Sequence, residues 1–437
     1  MTALRVAIVG TGPAGAYVAG HLLRSDVPVA IEMIDRLPTP WGLVRAGVAP
    51  DHQDTKAITR SFEWLAATPG VRMHLNTEVG RDVSHEELLA LHHAVVYTVG
   101  ASGSRELGIP GEDLPGSHAA TEFVAWYNGH PDFAGHRFDL SSERAIVIGN
   151  GNVALDIARV LARSVDDLAG TDIADHALEA LRASRIREVV VLGRRGPADA
   201  AFTSTELRAL AALEAVEVQV DPPVAVRAAV EQPHDDYGVQ LKLALLSRLT
   251  QERASGAGRR IVLRFLATPA RILGTDRVEG LEITRTELTP SGWSTTKSRE
   301  RIEAGLVLRA IGYAAQAIDG VPFDATRRVI PNDRGRVAAG VYTAGWVKRG
   351  PSGVIGTNKV CAAETVRALL EDHAAGRLPS PDGGDLGALL AERHPDRVGL
   401  NGWRAINTHE LQAGKDQGRP RVKLTRRSEL LAVARHG

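Results

Sequence analysis

Cysteine is almost absent from the chain: Cys361 is the only one in 437 residues. A single thiol excludes an internal disulfide, a CxxC redox pair, a four-thiolate zinc site and an iron–sulfur cluster held by the chain's own cysteines. Any mechanism that works through paired thiols goes with them. Cys361 lies in Val360-Cys361-Ala362-Ala363, which reads as a buried helix face. A surplus of one charge is also missing, since Lys+Arg and Asp+Glu both number 52. No global field therefore favours nucleic acid, and a charged partner has to be met by a local patch. Long hydrophobic runs are lacking too, none approaching the roughly eighteen residues of a membrane span. The N-terminus enters a strand pattern with no basic or apolar leader before it. With 44% apolar and 24% charged residues, the expectation is a soluble, cytoplasmic protein.

What is present is organised around glycine turns. A chain of this length is expected to form two or three domains. Val6-Ala7-Ile8-Val9 is an apolar strand, Gly10-Thr11-Gly12-Pro13-Ala14-Gly15 follows it, and a helical pattern covers 16–23. The first glycine permits a tight turn, the second lets backbone approach a pyrophosphate, and the third lets helix and strand pack closely. Ile31-Glu32-Met33-Ile34-Asp35 reads as the next strand, and Asp35 stands 20 positions past Gly15, where a ribose is met. A helix over 53–67, strands at 71–75 and 77–79, a helix at 86–91 and a buried strand at 93–100 complete one dinucleotide-binding unit.

The pattern then restarts. A strand at 145–148 leads into Gly149-Asn150-Gly151-Asn152-Val153-Ala154 and a helix over 155–161. The next strand, at 189–193, ends not on an acid but on Arg194 and Arg195. A carboxylate there would bond a ribose 2′-hydroxyl and repel a 2′-phosphate, whereas two guanidiniums grip that phosphate. The first fold is therefore expected to hold FAD, with Asp35 on the ribose, and the second NADP. A surface basic pair at a strand end is the plainer alternative. An extra helix is expected at 171–183, and strands at 216–220, 261–265, 280–284 and 305–310. Between Lys242 and Arg264 basic residues outnumber acidic ones: Lys242, Arg248, Arg253, Arg259, Arg260 and Arg264 against Glu252. A strand-like stretch at 340–345, a loop, and a helix over 356–370 return to the first fold. The N-terminus of that late helix suits the pyrimidine edge of a flavin, where its dipole favours negative charge. The tail, 380–437, reads as short helices with a basic end.

Several runs together resemble one family. They are residues 6–15, Gly42-Leu43-Val44-Arg45-Ala46-Gly47-Val48-Ala49-Pro50-Asp51-His52, and the stretch from Gly149 through Asp156 to Arg159. Thr171-Asp172-Ile173-Ala174, Gly193-Arg194-Arg195-Gly196-Pro197, Ala200-Ala201-Phe202-Thr203 and Gly345-Trp346-Val347-Lys348-Arg349-Gly350-Pro351 complete the set. From end to end the chain resembles the adrenodoxin reductase family, the glutathione-reductase-like type of ferredoxin–NADP reductase.

The resemblance implies an α/β fold of two Rossmann-like, three-layer (ββα/βαβ) dinucleotide-binding domains. The FAD domain is discontinuous (1–102 and, with a C-terminal extension, 313–437), and the NADP domain, 103–312, is inserted. It also implies hydride transfer from NADPH to FAD and single-electron transfer to a ferredoxin-type iron–sulfur protein, with no metal in the chain itself. Carried onto this sequence, FAD contacts are Gly10, Gly12, Pro13, Ala14, Gly15, Asp35, Gly42, Leu43, Val79, Gly345 and Trp346, with the backbone of Gly353, Val354 and Ile355. NADP contacts are Asn150, Gly151, Asn152, Val153, Arg194, Arg195 and Glu206, with Gly353 near the nicotinamide. Trp41 stands where Phe is common, and Asp199 where Gln is usual; an acid beside the phosphate site would weaken NADP binding slightly.

The resemblance further suggests His52, Asp156 and Glu206 as a catalytic proton path. Each also fits a plainer role: His52 as a helix cap, Asp156 as a carboxylate favoured early in a helix, Glu206 in first-turn capping. An acidic ferredoxin would dock on the basic segment containing Lys242, Arg248 and Arg253, which equally fits a solvated helix face. Rival readings are an NADPH-dependent flavin oxidase or monooxygenase, an electron-input subunit of a larger complex, and a nucleotide-sensing module without turnover. Electron-input subunits of the glutamate-synthase type carry N-terminal cysteines that this chain lacks.

Overall fold

Val6, Ala7, Ile8 and Val9 are each at most 6% exposed, so the strand Leu4–Val9 is covered on both faces, as its unbroken apolar run demands. Alternate residues enter different cores. Val6 and Ile8 join Trp41, Phe62 and Trp403 on one side, while Ala7 and Val9 join Tyr97, Leu386 and Leu390 on the other. The computed structural model describes residues 3–251 and 258–437. The chain divides into two units, one of Met1–Gly103, Asn128–Asp132 and Tyr313–Gly437, the other of Ser104–Tyr127 and Phe133–Gly312. Asn128–Asp132, inside the inserted segment by sequence, groups with the first unit, where Asp132 pairs with Arg36 and Arg427.

The first unit is built on a six-stranded sheet ordered Arg336–Ala338, Val341–Thr343, Ala94–Tyr97, Leu4–Val9, Val29–Asp35, Val71–Leu75. All its pairings are parallel except that of the Arg336–Ala338 edge. Val341–Thr343, from late in the chain, pairs with Ala94–Tyr97 and so finishes a sheet begun by the first residues. The helix Pro13–Leu23 starts with Pro at its first turn, behind Gly12, where the missing N–H costs nothing. It packs against Thr357–Ala374, and its small residues (Ala14, Gly15, Ala16, Ala19, Gly20) are buried. The helix His85–Leu91 begins where Ser84 and Glu87 form a reciprocal capping box.

Three local expectations change here. The helix over 53–67 is two pieces, Gln53–Lys56 and Thr59–Ala66, and the Thr59 hydroxyl donates to the Lys56 carbonyl at the break. No strand forms at 77–79, where Val79 makes only an isolated bridge to Val83. The tail is not all short helices, because Leu400–Asp416 runs for 17 residues.

The second unit has its own all-parallel six-stranded sheet. Its order is Ser117–Ala119, Leu306–Arg309, Arg144–Ile148, Glu188–Leu192, Arg260–Arg264, Glu217–Asp221. The extra crossover helix is present as Asp175–Arg182, shorter than predicted. An antiparallel sheet, Ala267–Leu273, Gly280–Thr289 and Gly292–Glu303, lies beside it in the chain. The last of these strands is absent from the sequence-based reading because it is mostly exposed and polar. Its pairing with Gly280–Thr289 carries the cross-strand ion pair Arg299–Glu282 and sets Ile302 opposite the buried Leu281.

Candidate functional site

In the first unit three glycine turns converge on the start of the helix Pro13–Leu23. Gly10 has φ +105° and a Cβ there would stand 2.6 Å from the Thr98 carbonyl oxygen; one on Gly15 would stand 2.0 Å from that of Gly10. Gly42, at φ +50°, would place a Cβ 3.2 Å from Gly12 Cα, and Gly345, at φ +82°, would place one 2.6 Å from Ala14 Cβ. Only backbone fits at these approaches. Gly12, the cap of the helix Pro13–Leu23, brings no side-chain cap bond, so that helix start keeps N–H groups and its positive end for an anion. At the start of Thr357–Ala374 the Thr357, Asn358 and Lys359 N–H groups already donate to the Val354, Ile355 and Gly356 carbonyls, and only the helix dipole is left there.

Asp35 lies at the end of its strand, but its carboxylate is already engaged. Oδ2 accepts the Thr11 N–H at 2.9 Å and the Thr11 hydroxyl at 2.6 Å, and Oδ1 accepts the Leu37 N–H at 3.1 Å. Asp35 thus welds the first turn to the loop after its strand, with lone-pair capacity left on Oδ1. Further round the unit, the Val354 N–H donates to Thr357 Oγ1 at 3.2 Å, which shapes the turn of Gly353, Val354 and Ile355. Val354 is exposed and Ile355 half-buried. The Trp346 indole donates to the Ser352 carbonyl at 3.1 Å and packs at a tilt of 46° against the Tyr313 ring. Leu43 opens the short helix Leu43–Ala46, and Val79 packs at the edge of one core. His52 precedes the helix Gln53–Lys56 with no side-chain cap bond, so the capping role is not what it does.

Two donor residues in this unit, Trp41 and Arg349, escaped sequence reasoning. The Trp41 indole nitrogen, on a residue at φ +80°, and Arg349 Nε and Nη1 are buried without a hydrogen-bond partner among the described residues. Trp41 immediately precedes the run Gly42–His52, and Arg349 lies within the run Gly345–Pro351. Orphaned donors, backbone-only approaches and the uncapped start of Pro13–Leu23 fit a dinucleotide with an anionic pyrophosphate.

The second unit repeats the turn. Gly149 has φ +120° and a Cβ there would meet the Ala310 carbonyl oxygen at 2.2 Å. The helix Asn152–Ala162 starts behind Gly151, again without a side-chain cap bond. Asn150 and Asn152 brace the loop of residues 200–203: the Phe202 N–H donates to Asn150 O at 2.9 Å, and the Thr203 N–H to Asn152 Oδ1 at 2.8 Å. Val153 packs at the edge of the core. Arg194 and Arg195 follow the strand Glu188–Leu192 and are exposed. Arg194 makes no ion pair among the described residues, and Arg195 reaches Asp199 only at 4.0 Å. Two exposed guanidinium forks at this strand end fit a 2′-phosphate.

Asp156 and Glu206 are brought together by Arg159, a residue 1% exposed. Its Nη2 lies 2.9 Å from Asp156 Oδ1 and its Nη1 3.2 Å from Glu206 Oε2. Thr203 caps the helix Ser204–Ala211 by accepting the Glu206 N–H, so the Glu206 carboxylate is free of capping duty and turns to Arg159. A cavity of about 740 Å³ opens at the other end of this sheet, where Arg144 and Arg260 both grip Glu188. It is remote in the fold from the strand ends that carry the turn.

The basic segment reads differently in three dimensions. Lys242 is 6% exposed; its Nζ donates to the Ala200 carbonyl at 2.5 Å and stands over the Phe202 ring, and burial lowers its pKa. It is therefore a packing residue and not part of a docking surface. Arg264 pairs with Asp221 and Glu300, Arg260 with Glu188, and Arg259 donates to carbonyls at the end of the helix Asn152–Ala162. Arg248 is exposed, and Arg253 lies outside the described residues. No helix among the described residues is long and apolar enough to cross a membrane.

Residues 4–243 match the family described as pyridine nucleotide-disulphide oxidoreductase. The chain is 47% identical to a probable ferredoxin/ferredoxin–NADP reductase of Mycobacterium leprae over 99% of its own length and 78% of that protein's. It is 39% identical to the mitochondrial NADPH:adrenodoxin oxidoreductase of Arabidopsis thaliana, covering 99% of this chain and 95% of that one. The solved structure of Mycobacterium tuberculosis FprA in complex with NADPH superposes with a TM-score of 0.94 at 44% identity, covering 99% and 100% of the two chains. The chain belongs to the pyridine nucleotide-disulphide oxidoreductase family and, within it, to the adrenodoxin reductase type of ferredoxin–NADP reductase.

Proposed function

We infer that the chain is a flavoprotein reductase that moves electrons from NADPH through FAD to a ferredoxin-type iron–sulfur protein. The observation that carries this is the contrast between two like-built turns, one followed by Asp35 and the other by Arg194 and Arg195. Bound FAD supplies the exchange between a two-electron donor and a one-electron acceptor, and the protein's part is binding, orientation and charge.

Gly10, Gly12, Pro13, Ala14 and Gly15 present backbone to the pyrophosphate, and Gly42, Leu43 and Gly345 close on it. Asp35 fixes Thr11 and keeps capacity on Oδ1 for a ribose hydroxyl. The turn of Gly353, Val354 and Ile355, beside Trp346 and leading into the start of Thr357–Ala374, supports the flavin ring, and the dipole of that helix favours negative charge near it. In the second unit Asn150, Gly151, Asn152 and Val153 receive the NADP pyrophosphate, Arg194 and Arg195 its 2′-phosphate, and Glu206 the nicotinamide half. Asp156 and Glu206 are acceptors held by Arg159, an arrangement that suits orientation of the nicotinamide. His52 is the remaining acid–base group. Docking of an acidic ferredoxin uses Arg248 without Lys242.

The test is a titration of the purified yellow protein with NADPH and with NADH. Bleaching by NADPH alone, followed by cytochrome c reduction that requires ferredoxin, is the expected result. Bleaching with both nicotinamides alike, or stoichiometric oxygen use without ferredoxin, would overturn it.

A further inference from the structure

We propose that the C-terminal segment, residues 400–427, is a clasp that retains the flavin dinucleotide, with Glu410 as its positioning residue. This rests on the reading of the first unit as the FAD site.

Glu410 lies in the helix Leu400–Asp416 and is 0% exposed. Arg45 meets it through a two-pronged contact: Nη1 donates to Oε2 at 2.8 Å and Nη2 to Oε1 at 2.6 Å. Arg421 Nη1 donates to Oε2 at 2.7 Å, and the Leu424 N–H to Oε1 at 2.9 Å. Each carboxylate oxygen therefore accepts two donors, and the Arg45 guanidinium also lies over the Trp403 ring at 5.5 Å. Burial alone would raise the Glu410 pKa; the two guanidiniums bring it below the usual range.

A buried ion cluster of this kind adds little stability over an apolar replacement, but it does define one geometry. The geometry defined is that of Arg45, 365 residues away in sequence. Arg45 belongs to the helix Leu43–Ala46, which has four residues and no side-chain cap, too short to hold itself. That helix starts at Gly42, whose backbone lies against Gly12. Two further tail residues grip the same loop. Lys423 Nζ donates to the Arg45 carbonyl and to Asn128 Oδ1, both at 3.4 Å, and Arg427 Nη1 donates to the Arg36 carbonyl at 3.1 Å. The loop of residues 36–46 is thus pinned at both ends by the tail, with the pyrophosphate turn behind it. Loss of the pin leaves the turn intact and frees the loop that closes over it.

The experiment uses full-length holoprotein carrying E410Q or K423M. Flavin release is followed by recovery of free-FAD fluorescence after dilution, and binding of 2′,5′-ADP by the second unit serves as the control. E410Q is expected to release FAD about tenfold faster or more, and K423M about threefold faster, with 2′,5′-ADP affinity unchanged. Release at the wild-type rate in both variants would overturn the proposal. So would an equal fall in the melting temperature of apoprotein and holoprotein with no change in release. Should E410Q fail to fold, K423M alone decides. A wild-type protein that binds no FAD refutes the flavin reading itself, whereas yellow wild type with unaffected variants refutes only the clasp.

Discussion

Gly12 and Gly42 meet backbone to backbone, a Cβ on Gly42 standing 3.2 Å from the Gly12 α-carbon. Gly42 also sits at φ +50° and ψ −129°, a combination that side-chain-bearing residues avoid. G42A is therefore expected to weaken FAD binding by about tenfold or more, corresponding to about 1–3 kcal/mol of backbone strain and displacement. Fluorescence titration of the apoprotein with FAD checks it. Wild-type affinity would mean that the loop tolerates the shift.

Arg194 stands exposed at a strand end and makes no ion pair among the described residues, while Arg195 has a distant partner in Asp199. R194Q with R195Q is expected to raise the KM for NADPH about 10–100-fold and to leave that for NADH nearly unchanged. D199N should lower the NADPH KM slightly by removing a like charge from the phosphate. Steady-state kinetics with both nicotinamides distinguishes the outcomes, and an equal loss for NADH and NADPH would contradict the assignment.

Arg159 is the counter-ion of both Asp156 and Glu206. R159M leaves two carboxylates without it and should destabilise the second unit by about 3–5 kcal/mol. Adding D156N and E206Q to R159M should restore most of that loss while NADPH binding stays weak. Urea unfolding of the single and triple variants measures both. Equal stability of the two would show that the carboxylates do not depend on Arg159.

His130 carries a pH prediction. Burial pushes its pKa from 6.5 to about 4, and its Nδ1 accepts the Asp132 N–H at 3.2 Å, which needs the neutral ring. The unfolded chain then binds the extra proton between those two values, so stability rises with pH across that window and is lost as pH falls from about 6.5 towards 4. The loss attributable to this group is about 3 kcal/mol. In H130N the urea midpoint should depend less steeply on pH over that range. An unaltered slope would remove His130 from the acid limb.

Legibility differed by feature. Both nucleotide turns, their strands and their helices follow from glycine spacing and unbroken apolar runs, because local sterics dictate them. The strand Gly292–Glu303 was not legible, since its own residues are mostly polar and exposed and it is paired only across a hairpin. Lys242 was misread for a related reason. A lysine looks alike in sequence whether solvated or laid over Phe202, and only packing of the helix Tyr237–Gln251 against the loop of residues 200–203 distinguishes the two.

The cofactor contrast was determined by the sequence alone, because Asp35 against Arg194 and Arg195 is a matter of side-chain charge at one position of a repeated motif. Tertiary structure decided how those charges are spent. Asp35 ties down Thr11, Arg159 gathers Asp156 and Glu206, and Glu410 reaches back to Arg45. The physical reason is distance along the chain. A turn is set by residues that are neighbours in sequence, whereas a buried ion pair is set by whichever charges the fold removes from water together.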